Sequence, residues 1–169
     1  MKKTSTKKSL KHDQIQQVFI MTKIGEIFIT GSEDLIFTIA NSRNPHYPVI
    51  LNSKRQFSIL KKAQKQIEEY LSGKSKKINL PFKIEGTPFQ EAVWTEVSKI
   101  PFGKKITYQE LAKYINNPKA LRAVGGAVGK NPLCLLIPCH RVVGTKNKLG
   151  GFSMGIDIKK YLLDLETPR

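Results

Sequence analysis

Two helix-start signals of the same kind constrain the fold of the second half of the chain. Thr87 is followed by Pro88 and then by Gln90, and Thr107 is followed at the same interval by Glu110. In such a capping box, the threonine hydroxyl and the side chain three residues on bind backbone N–H groups that a helix leaves free. Proline suits the first helical position because its missing N–H is not needed there. We therefore expect helices to begin directly after Thr87 and Thr107.

Apolar residues at helical spacing follow each capping box and predict the buried faces of the two helices. They are Phe89, Val93, Val97 and Ile100 in the first helix and Leu111, Ala112 and Ile115 in the second. The sequence Asn116-Asn117-Pro118 then turns the chain, and a further helix is predicted over residues 119–130. Its buried side would be formed by Leu121, Val124 and Val128.

Two short helices joined by a turn of about three residues, with Arg122 in the first turn of the second, are typical of a helix-turn-helix. Many helical hairpins of this size are only scaffold, so a DNA-binding and a structural role both stay open at this point. The second helix carries Gly125, Gly126 and Gly129, and each costs about 0.5–1 kcal/mol relative to alanine. Glycines there indicate that the helix backbone closely approaches another helix or a ligand such as a DNA strand. Because the helix lacks the several Arg, Asn or Gln side chains that read base edges, DNA contact would rest on shape and backbone.

Short β-branched and aromatic runs in the first half predict a small antiparallel sheet. The runs cover residues 18–22, 26–30 and 35–40. A helix is predicted over residues 54–72, with Gly73 placed to terminate it, and this helix would cover the sheet. The expected fold class is therefore α+β, with an N-terminal small antiparallel sheet and covering helix. The C-terminal domain is expected to be mainly helical, with a helix-turn-helix and an active-site loop.

Changes in composition divide the chain into three parts. Residues 1–11 form a basic arm rich in lysine, residues 12–84 a sheet-and-helix domain, and residues 85–169 the helical domain. The exposed connector before this boundary is predicted at residues 74–77.

The charge balance indicates the class of partner. Lys and Arg number 29 against 13 Asp and Glu, which gives a net charge of +16, so a polyanion such as nucleic acid is the leading partner and an anionic membrane surface is the rival. Cys134 and Cys139 are too close in sequence for a disulfide between them to stabilise the fold. Nothing in the sequence resembles a signal peptide or a membrane-spanning run. These features favour a reducing cytoplasm.

Cys139 and His140 stand side by side and are candidates for reactive chemistry. A thiol is a weak nucleophile at its usual pKa of roughly 8.5, and a nearby imidazole can remove its proton. The alternative is that Cys139 is a small buried hydrophobe and His140 a hydrogen-bonded core residue. The segment is predicted to be extended, which would place the two side chains on opposite faces, so a bridging water would have to connect them.

The second half of the chain resembles the O6-alkylguanine-DNA alkyltransferases, also called methylated-DNA-protein-cysteine methyltransferases. The similarity covers residues 86–166, about half of the chain, whereas the first half resembles the family only in its layout. Successive matching segments are Gly86-Thr87-Pro88-Phe89-Gln90, Val93-Trp94, Ile100-Pro101-Phe102-Gly103, Tyr108, Leu111-Ala112, Arg122-Ala123-Val124-Gly125, Asn131-Pro132, Ile137 to Val143, Leu149-Gly150-Gly151-Phe152 and Leu162-Leu163-Asp164-Leu165-Glu166.

The resemblance implies direct-reversal DNA repair on double-stranded DNA that contains O6-alkylguanine, with O4-alkylthymine as a further possible substrate. The protein would flip the base out of the duplex and move its alkyl group irreversibly to Cys139, so each molecule would act once. Residues 85–169 would then be the DNA-binding and alkyl-acceptor domain. The protein is expected to be a monomer that binds no membrane and needs no cofactor and no metal.

The resemblance also implies a role for each matched residue. Cys139 is the alkyl acceptor, His140 is the base that acts through water, and Glu166 orients the imidazole. Without the resemblance, Glu166 would be interpreted as a surface carboxylate on the C-terminal helix. Tyr108 assists the leaving group and rotates the target phosphate. Arg122 replaces the flipped base in the stack.

The remaining matched residues are assigned to the DNA surface and the base pocket. Ala123, Gly125 and Gly126 share the DNA-binding face with Arg122. Asn131 braces the turn before the cysteine loop, and Val142, Ser153 and Met154 line the base pocket.

Three other functions fit the sequence less well. A lesion-binding protein without repair activity would lack the acceptor, and Cys139 argues against it. A cysteine hydrolase would need an oxyanion hole and a hydrolysable acyl intermediate, whereas a thioether is stable to water. A transcription regulator would carry base-reading side chains on its recognition helix.

Overall fold

The computed structural model of the chain describes residues 15–43 and 56–167. Three strands and one helix are followed by four helices and two very short strands. In chain order the elements are β1 Gln16–Thr22, β2 Gly25–Gly31, β3 Ile36–Asn41, α1 Ser58–Leu71, α2 Pro88–Ser98, β4 Ile106–Thr107, α3 Tyr108–Tyr114, α4 Leu121–Gly129, β5 Val142–Val143 and α5 Ile156–Glu166, with 3-10 turns at Cys139–Arg141 and Thr145–Asn147.

The first three strands form an antiparallel sheet in the order β1-β2-β3, which confirms the predicted meander and the α+β class. Isoleucines of the sheet, such as Ile27 and Ile29, are fully buried and belong to one core with Leu60 and Ile67 of α1. The helix therefore covers one face of the sheet, as the alternating pattern requires.

Helix α1 starts later than predicted. Phe57 is its N-cap and Ser58 its first residue, and the positions before residue 56 that we assigned to this helix lie outside the described residues. Its C-terminus follows the prediction, because Gly73 takes a φ of 78°, a left-handed conformation that glycine adopts at low cost. The basic arm also lies outside the described residues.

Both capping boxes are formed. The Gln90 backbone N–H donates to the Thr87 hydroxyl at 3.3 Å, and the Thr87 N–H donates to the Gln90 side chain at 2.9 Å. Thr107 and Glu110 repeat the arrangement at 3.1 and 2.6 Å. These local hydrogen bonds fix the starts of α2 and α3 at the predicted residues.

The turn of the helix-turn-helix is longer than predicted, and α4 begins at Leu121 instead of residue 119. Asn116 ends α3 with a φ of 55°, and the Asn117 N–H donates to the Ala112 carbonyl oxygen at 2.9 Å. The Ala120 N–H then donates to the Asn117 carbonyl oxygen at 3.1 Å, which closes a turn around Pro118. Six residues, 115–120, therefore separate the two helices.

The buried face of α4 differs from the prediction at one position. Val124 and Val128 are buried in this helix, which contacts α2, but Leu121, its first residue, is 38% exposed. Ala127 makes that contact, since its carbonyl oxygen accepts a hydrogen bond of 2.8 Å from the Trp94 indole.

Backbone contacts join the two halves of the chain close to the cysteine loop. The Ile39 N–H of β3 donates to the Pro132 carbonyl oxygen at 2.9 Å, and the Cys134 N–H donates to the Ile39 oxygen at 3.2 Å. Strands β4 and β5 pair in parallel, which brings the start of α3 beside the residues that follow Arg141. Among residues 15–43 and 56–167, no helix is long and apolar enough to cross a membrane.

Candidate active site

Cys139 lies on a 3-10 turn, so the prediction of an extended segment is wrong. The Arg141 N–H donates to the Pro138 carbonyl oxygen at 2.9 Å and closes the turn. Pro138 sets the bend because it has no N–H with which to join a strand. The turn directs Cys139 toward Asn131 and His140 toward helix α5, and the structure has no hydrogen bond between the Cys139 and His140 side chains.

The Asn131 side chain holds the thiol in place. Its Nδ2 donates to the Cys139 sulfur at 3.0 Å and to the Ile137 carbonyl oxygen at 2.8 Å, while its Oδ1 accepts from the Leu133 N–H at 3.0 Å. Because Oδ1 is committed to a backbone donor, the amide can present only its NH₂ group to the sulfur. Asn131 is 1% exposed, so these bonds do not compete with bulk water.

The surroundings of Cys139 favour its thiolate form. A hydrogen bond from the Cys134 thiol lowers the pKa of Cys139, and this effect, with the Asn131 bond and the charge of Lys159, outweighs the opposing effect of burial. The same contact raises the pKa of Cys134 well above its usual value, so Cys134 keeps its proton and acts as the donor. Of the two thiols, Cys139 is therefore the one closer to its reactive thiolate form.

His140 is held by the carboxylate of Glu166. The distance from His140 Nε2 to Glu166 Oε1 is 2.7 Å, and both side chains are almost fully buried. Arg141 forms a two-pronged pair with the same carboxylate, at 2.9 Å from Nε to Oε2 and 2.9 Å from Nη2 to Oε1. Burial alone would raise the pKa of Glu166, but the bonds from His140 and Arg141 lower it to about 2. Glu166 is thus a buried anion and not the surface group that its position suggests.

This arrangement makes His140 a neutral base. Burial lowers the pKa of His140 and outweighs the stabilising effect of Glu166 on its charged form. Since Nε2 faces a carboxylate, that nitrogen carries the ring proton and Nδ1 carries the free lone pair. Nδ1 is buried and has no hydrogen-bond partner among the described residues. It is therefore the ring atom that can accept a proton.

Lys159 and Tyr108 form another wall of the site. The Lys159 ammonium donates to the Val142 carbonyl oxygen at 2.6 Å and lies 5.9 Å from the centre of the Tyr108 ring. Burial lowers the pKa of Lys159. Burial, followed by the charge of Cys139, raises the pKa of Tyr108, which keeps its hydroxyl protonated. The hydroxyl lies against Gly150, where an added Cβ would approach it to 3.0 Å.

The predicted DNA face is an open surface of α4. Arg122, Ala123 and Gly126 are exposed, and Gly125 is half-buried. No described atom lies within 4 Å of where a Cβ would stand on Gly125, Gly126 or Gly129. The glycines are therefore not required for packing against another helix of the described chain. Within the described residues, the glycine face of α4 is therefore open to a ligand.

The residues predicted to line the base pocket lie at different depths. Val142 and Met154 are fully buried, and the Met154 carbonyl oxygen accepts a hydrogen bond of 2.8 Å from Asn41. Ser153 is half-buried, with its hydroxyl 3.5 Å from the Cys134 sulfur.

Comparison with known proteins identifies the family. The DNA-binding domain of 6-O-methylguanine DNA methyltransferase matches residues 88–168, and the ribonuclease-like domain of the same enzyme matches residues 15–84. The chain is 46% identical over 145 residues to the methylated-DNA–protein-cysteine methyltransferase of Haemophilus influenzae, which covers 85% of this chain and 81% of that protein. The chain belongs to the 6-O-methylguanine DNA methyltransferase family.

Further relatives are similar to this chain over nearly its whole length. The methylated-DNA–protein-cysteine methyltransferase of Methanosarcina acetivorans is 39% identical over 146 residues, which are 85% of this chain and 92% of that protein. The crystal structure of Mycobacterium tuberculosis OGT in complex with DNA superimposes with a TM-score of 0.78 at 32% identity, covering 90% of this chain and 92% of that one. This 6-O-methylguanine DNA methyltransferase therefore acts in direct-reversal DNA repair, with DNA as its partner.

The structure brings together most of the residues that the family resemblance singles out. Cys139 and Asn131 are in contact, His140 and Glu166 form a pair, and Tyr108 lies on an adjacent wall. Arg122, Ala123, Gly125 and Gly126 lie apart from this group on the surface of α4. The roles of all these residues remain predictions.

Three further residues of the site were not predicted, and only two of them, Arg141 and Lys159, carry weak signals in the sequence. Arg141 follows the Cys-His pair directly, so its burial could have been suspected. Lys159 lies seven positions before Glu166 on α5, a spacing that places both on one helix face. Tyr70 of α1 donates a hydrogen bond to Glu166, and nothing in the local sequence around Tyr70 indicates that contact.

Proposed function

We propose that this methyltransferase removes the alkyl group from O6 of guanine in duplex DNA by transferring it to the sulfur of Cys139. The observation that carries the proposal is the geometry around this thiol. Its sulfur lies 3.0 Å from Asn131 Nδ2, its pKa is lowered, and a neutral imidazole with a free lone pair lies in the next residue. A soft nucleophile in this state suits displacement at an alkyl carbon.

The steps of the reaction balance without a cofactor. The Cys139 thiol transfers its proton through a bridging water to Nδ1 of His140. Glu166 stabilises the imidazolium that results. The thiolate then attacks the alkyl carbon, so that the S–C bond forms as the C–O6 bond breaks and the electron pair passes to guanine. Tyr108, whose hydroxyl stays protonated, supplies a proton to the departing base. The thioether has no route back to the thiol, so each molecule acts once.

Access to the base would come from the α4 face. Arg122 is exposed at the start of this helix, and the glycines leave its surface flat. We propose that the helix lies against the DNA backbone while Arg122 takes the place of the flipped base, which offsets part of an unstacking cost of a few kcal/mol. Ala123, Gly125 and Gly126 would contact the strand, and the net charge of +16 would contribute phosphate contacts.

The remaining expectations form part of the same proposal. We assign a sheet-and-helix domain to residues 12–84 and DNA binding with alkyl transfer to residues 85–169. Val142, Ser153 and Met154 would shape the base pocket, and O4-alkylthymine would be a second substrate. A monomer is sufficient for the reaction, since one chain supplies every residue that takes part in it. Cys134 and Cys139 are free thiols, which fits a reducing, cytoplasmic compartment.

The test is a stoichiometric titration of duplex DNA that contains O6-methylguanine. Lesion loss should stop when the methyl groups removed equal the protein molecules added. Cys139→Ala should remove none yet bind the DNA with unchanged affinity, because the α4 face is intact. The matched control Cys134→Ser should still reach the same endpoint, at a lower rate. Continued turnover beyond one methyl per chain, or repair by Cys139→Ala, would overturn the proposal.

A further inference from the structure

One side chain from the first half of the protein reaches the pair formed by His140 and Glu166. Tyr70 lies near the end of α1, is 2% exposed, and donates a hydrogen bond from its hydroxyl to Glu166 Oε1. The same hydroxyl lies 3.5 Å from His140 Nε2. Helix α1 thus supplies a hydrogen-bond donor to the carboxylate oxygen that faces the imidazole.

Packing holds this hydroxyl in position. The Tyr70 ring meets Phe102 edge to face, with ring centres 6.2 Å apart and planes at 89°. At the next residue of α1, the Leu71 carbonyl oxygen accepts a hydrogen bond of 2.8 Å from the Tyr161 hydroxyl of α5. Helices α1 and α5 are therefore joined beside the site by two tyrosines, of which only Tyr70 touches Glu166.

The direction of the Tyr70 bond is settled by the charges around it. Burial, followed by the negative charge of Glu166, raises the pKa of Tyr70, so the hydroxyl remains protonated and donates. Glu166 Oε1 receives this bond together with those from His140 Nε2 and Arg141 Nη2. Each added donor spreads the charge of the carboxylate and makes it a weaker acceptor for the imidazole.

We propose that Tyr70 is a positioning residue for alkyl transfer: its hydroxyl fixes the orientation of the Glu166 carboxylate and weakens the bond of that carboxylate to His140, so that the imidazole stays neutral. This inference rests on the proposed function, since it assigns a role within the same reaction. The charged or titratable groups that act on His140 are Glu166 and Lys159 from α5, Arg141 from the turn, and Tyr70 from α1. Arg141 and Lys159 disfavour the imidazolium, and Glu166 favours it.

The test compares Tyr70→Phe with Tyr161→Phe in the full chain. Each variant removes one hydroxyl from the junction of α1 and α5 and keeps the ring. For Tyr70→Phe we expect the second-order rate constant of methyl transfer at neutral pH to fall about three- to tenfold, the size expected for loss of one hydrogen bond. The acid limb of its pH-rate profile should also move to higher pH, because Glu166 then stabilises the imidazolium more strongly. Tyr161→Phe should keep the wild-type profile.

Two results would overturn the inference. One is a Tyr70→Phe variant with the wild-type rate and profile. The other is an equal slowing of both variants with no movement of either acid limb, which would show a packing role only. NMR titration of the His140 ring gives a readout independent of repair: it should show a higher pKa in Tyr70→Phe than in wild type. If wild-type protein fails to transfer methyl groups while that shift is present, the proposed function is wrong and the contact between Tyr70 and His140 still stands.

Discussion

Replacing Arg141 with methionine should strongly destabilise the folded protein. The guanidinium makes two bonds of 2.9 Å to Glu166 and a third, from Nη1, of 2.5 Å to the Ile100 carbonyl oxygen. Methionine fills much of the space but leaves a buried carboxylate without its cation. Breaking a buried ion pair by removing one partner costs about 3–5 kcal/mol. With a urea m-value of about 2 kcal/mol/M, the unfolding midpoint should fall by roughly 1.5–2.5 M.

The matched control is Arg43→Met. Arg43 also pairs with a carboxylate, that of Asp157 at 2.6 Å, but both side chains are more than half exposed, so its loss should leave the midpoint unchanged. Adding Glu166→Gln to Arg141→Met should recover part of the lost stability, because glutamine carries no charge to leave unpaired. Equal midpoints for Arg141→Met and Arg43→Met would refute the claim that the Arg141 pair is buried and stabilising.

Three further predictions concern the α4 face, the thiol and pH. Gly125→Ala should raise the free energy of unfolding by about 0.5–1 kcal/mol while weakening DNA binding in a filter or fluorescence assay; unchanged affinity would argue against close approach of DNA there. Asn131→Ala should slow methyl transfer about tenfold or more and raise the pKa of Cys139 in a thiolate absorbance titration, because a charge-assisted hydrogen bond is lost. In the folded chain the pKa of His140 lies below 6.5 and that of Glu166 falls from 4.5 to about 2. The unfolded chain therefore binds more protons in both ranges, and urea denaturation should show stability falling as the pH drops below 6.5 and again from 4.5 toward 2.

Local signals predicted the helix starts and the sheet well. The capping boxes at Thr87 and Thr107 depend on residues three positions apart, so their hydrogen bonds could be expected from the sequence alone. The start of α4 was harder to predict from the sequence. Asn116 can either take a left-handed φ, which ends α3, or continue that helix, so the length of the turn before α4 was not fixed. The spacing of Leu121 predicts a buried position, but spacing alone does not show that Leu121 starts the helix and stays exposed.

The charged interior of the site could be predicted only in part. The family resemblance indicated His140 with Glu166. Arg141 bonds to Glu166 across 25 residues of chain and Tyr70 across 96, and no periodicity connects residues so far apart. The 3-10 turn at Cys139 was also missed, since a short segment between a proline and the apolar pair Val142-Val143 is compatible with a strand as well as with a turn.

The central claim is that Cys139, and not the adjacent thiol of Cys134, receives the alkyl group. Trypsin should release residues 131–141 as one peptide that contains both cysteines, so tandem mass spectrometry must place the modification within it. After reaction with DNA containing O6-methylguanine, fragment ions that include Cys139 but not Cys134 should carry one methyl group. A methyl group on Cys134, or an unmodified peptide beside repaired DNA, would contradict the account.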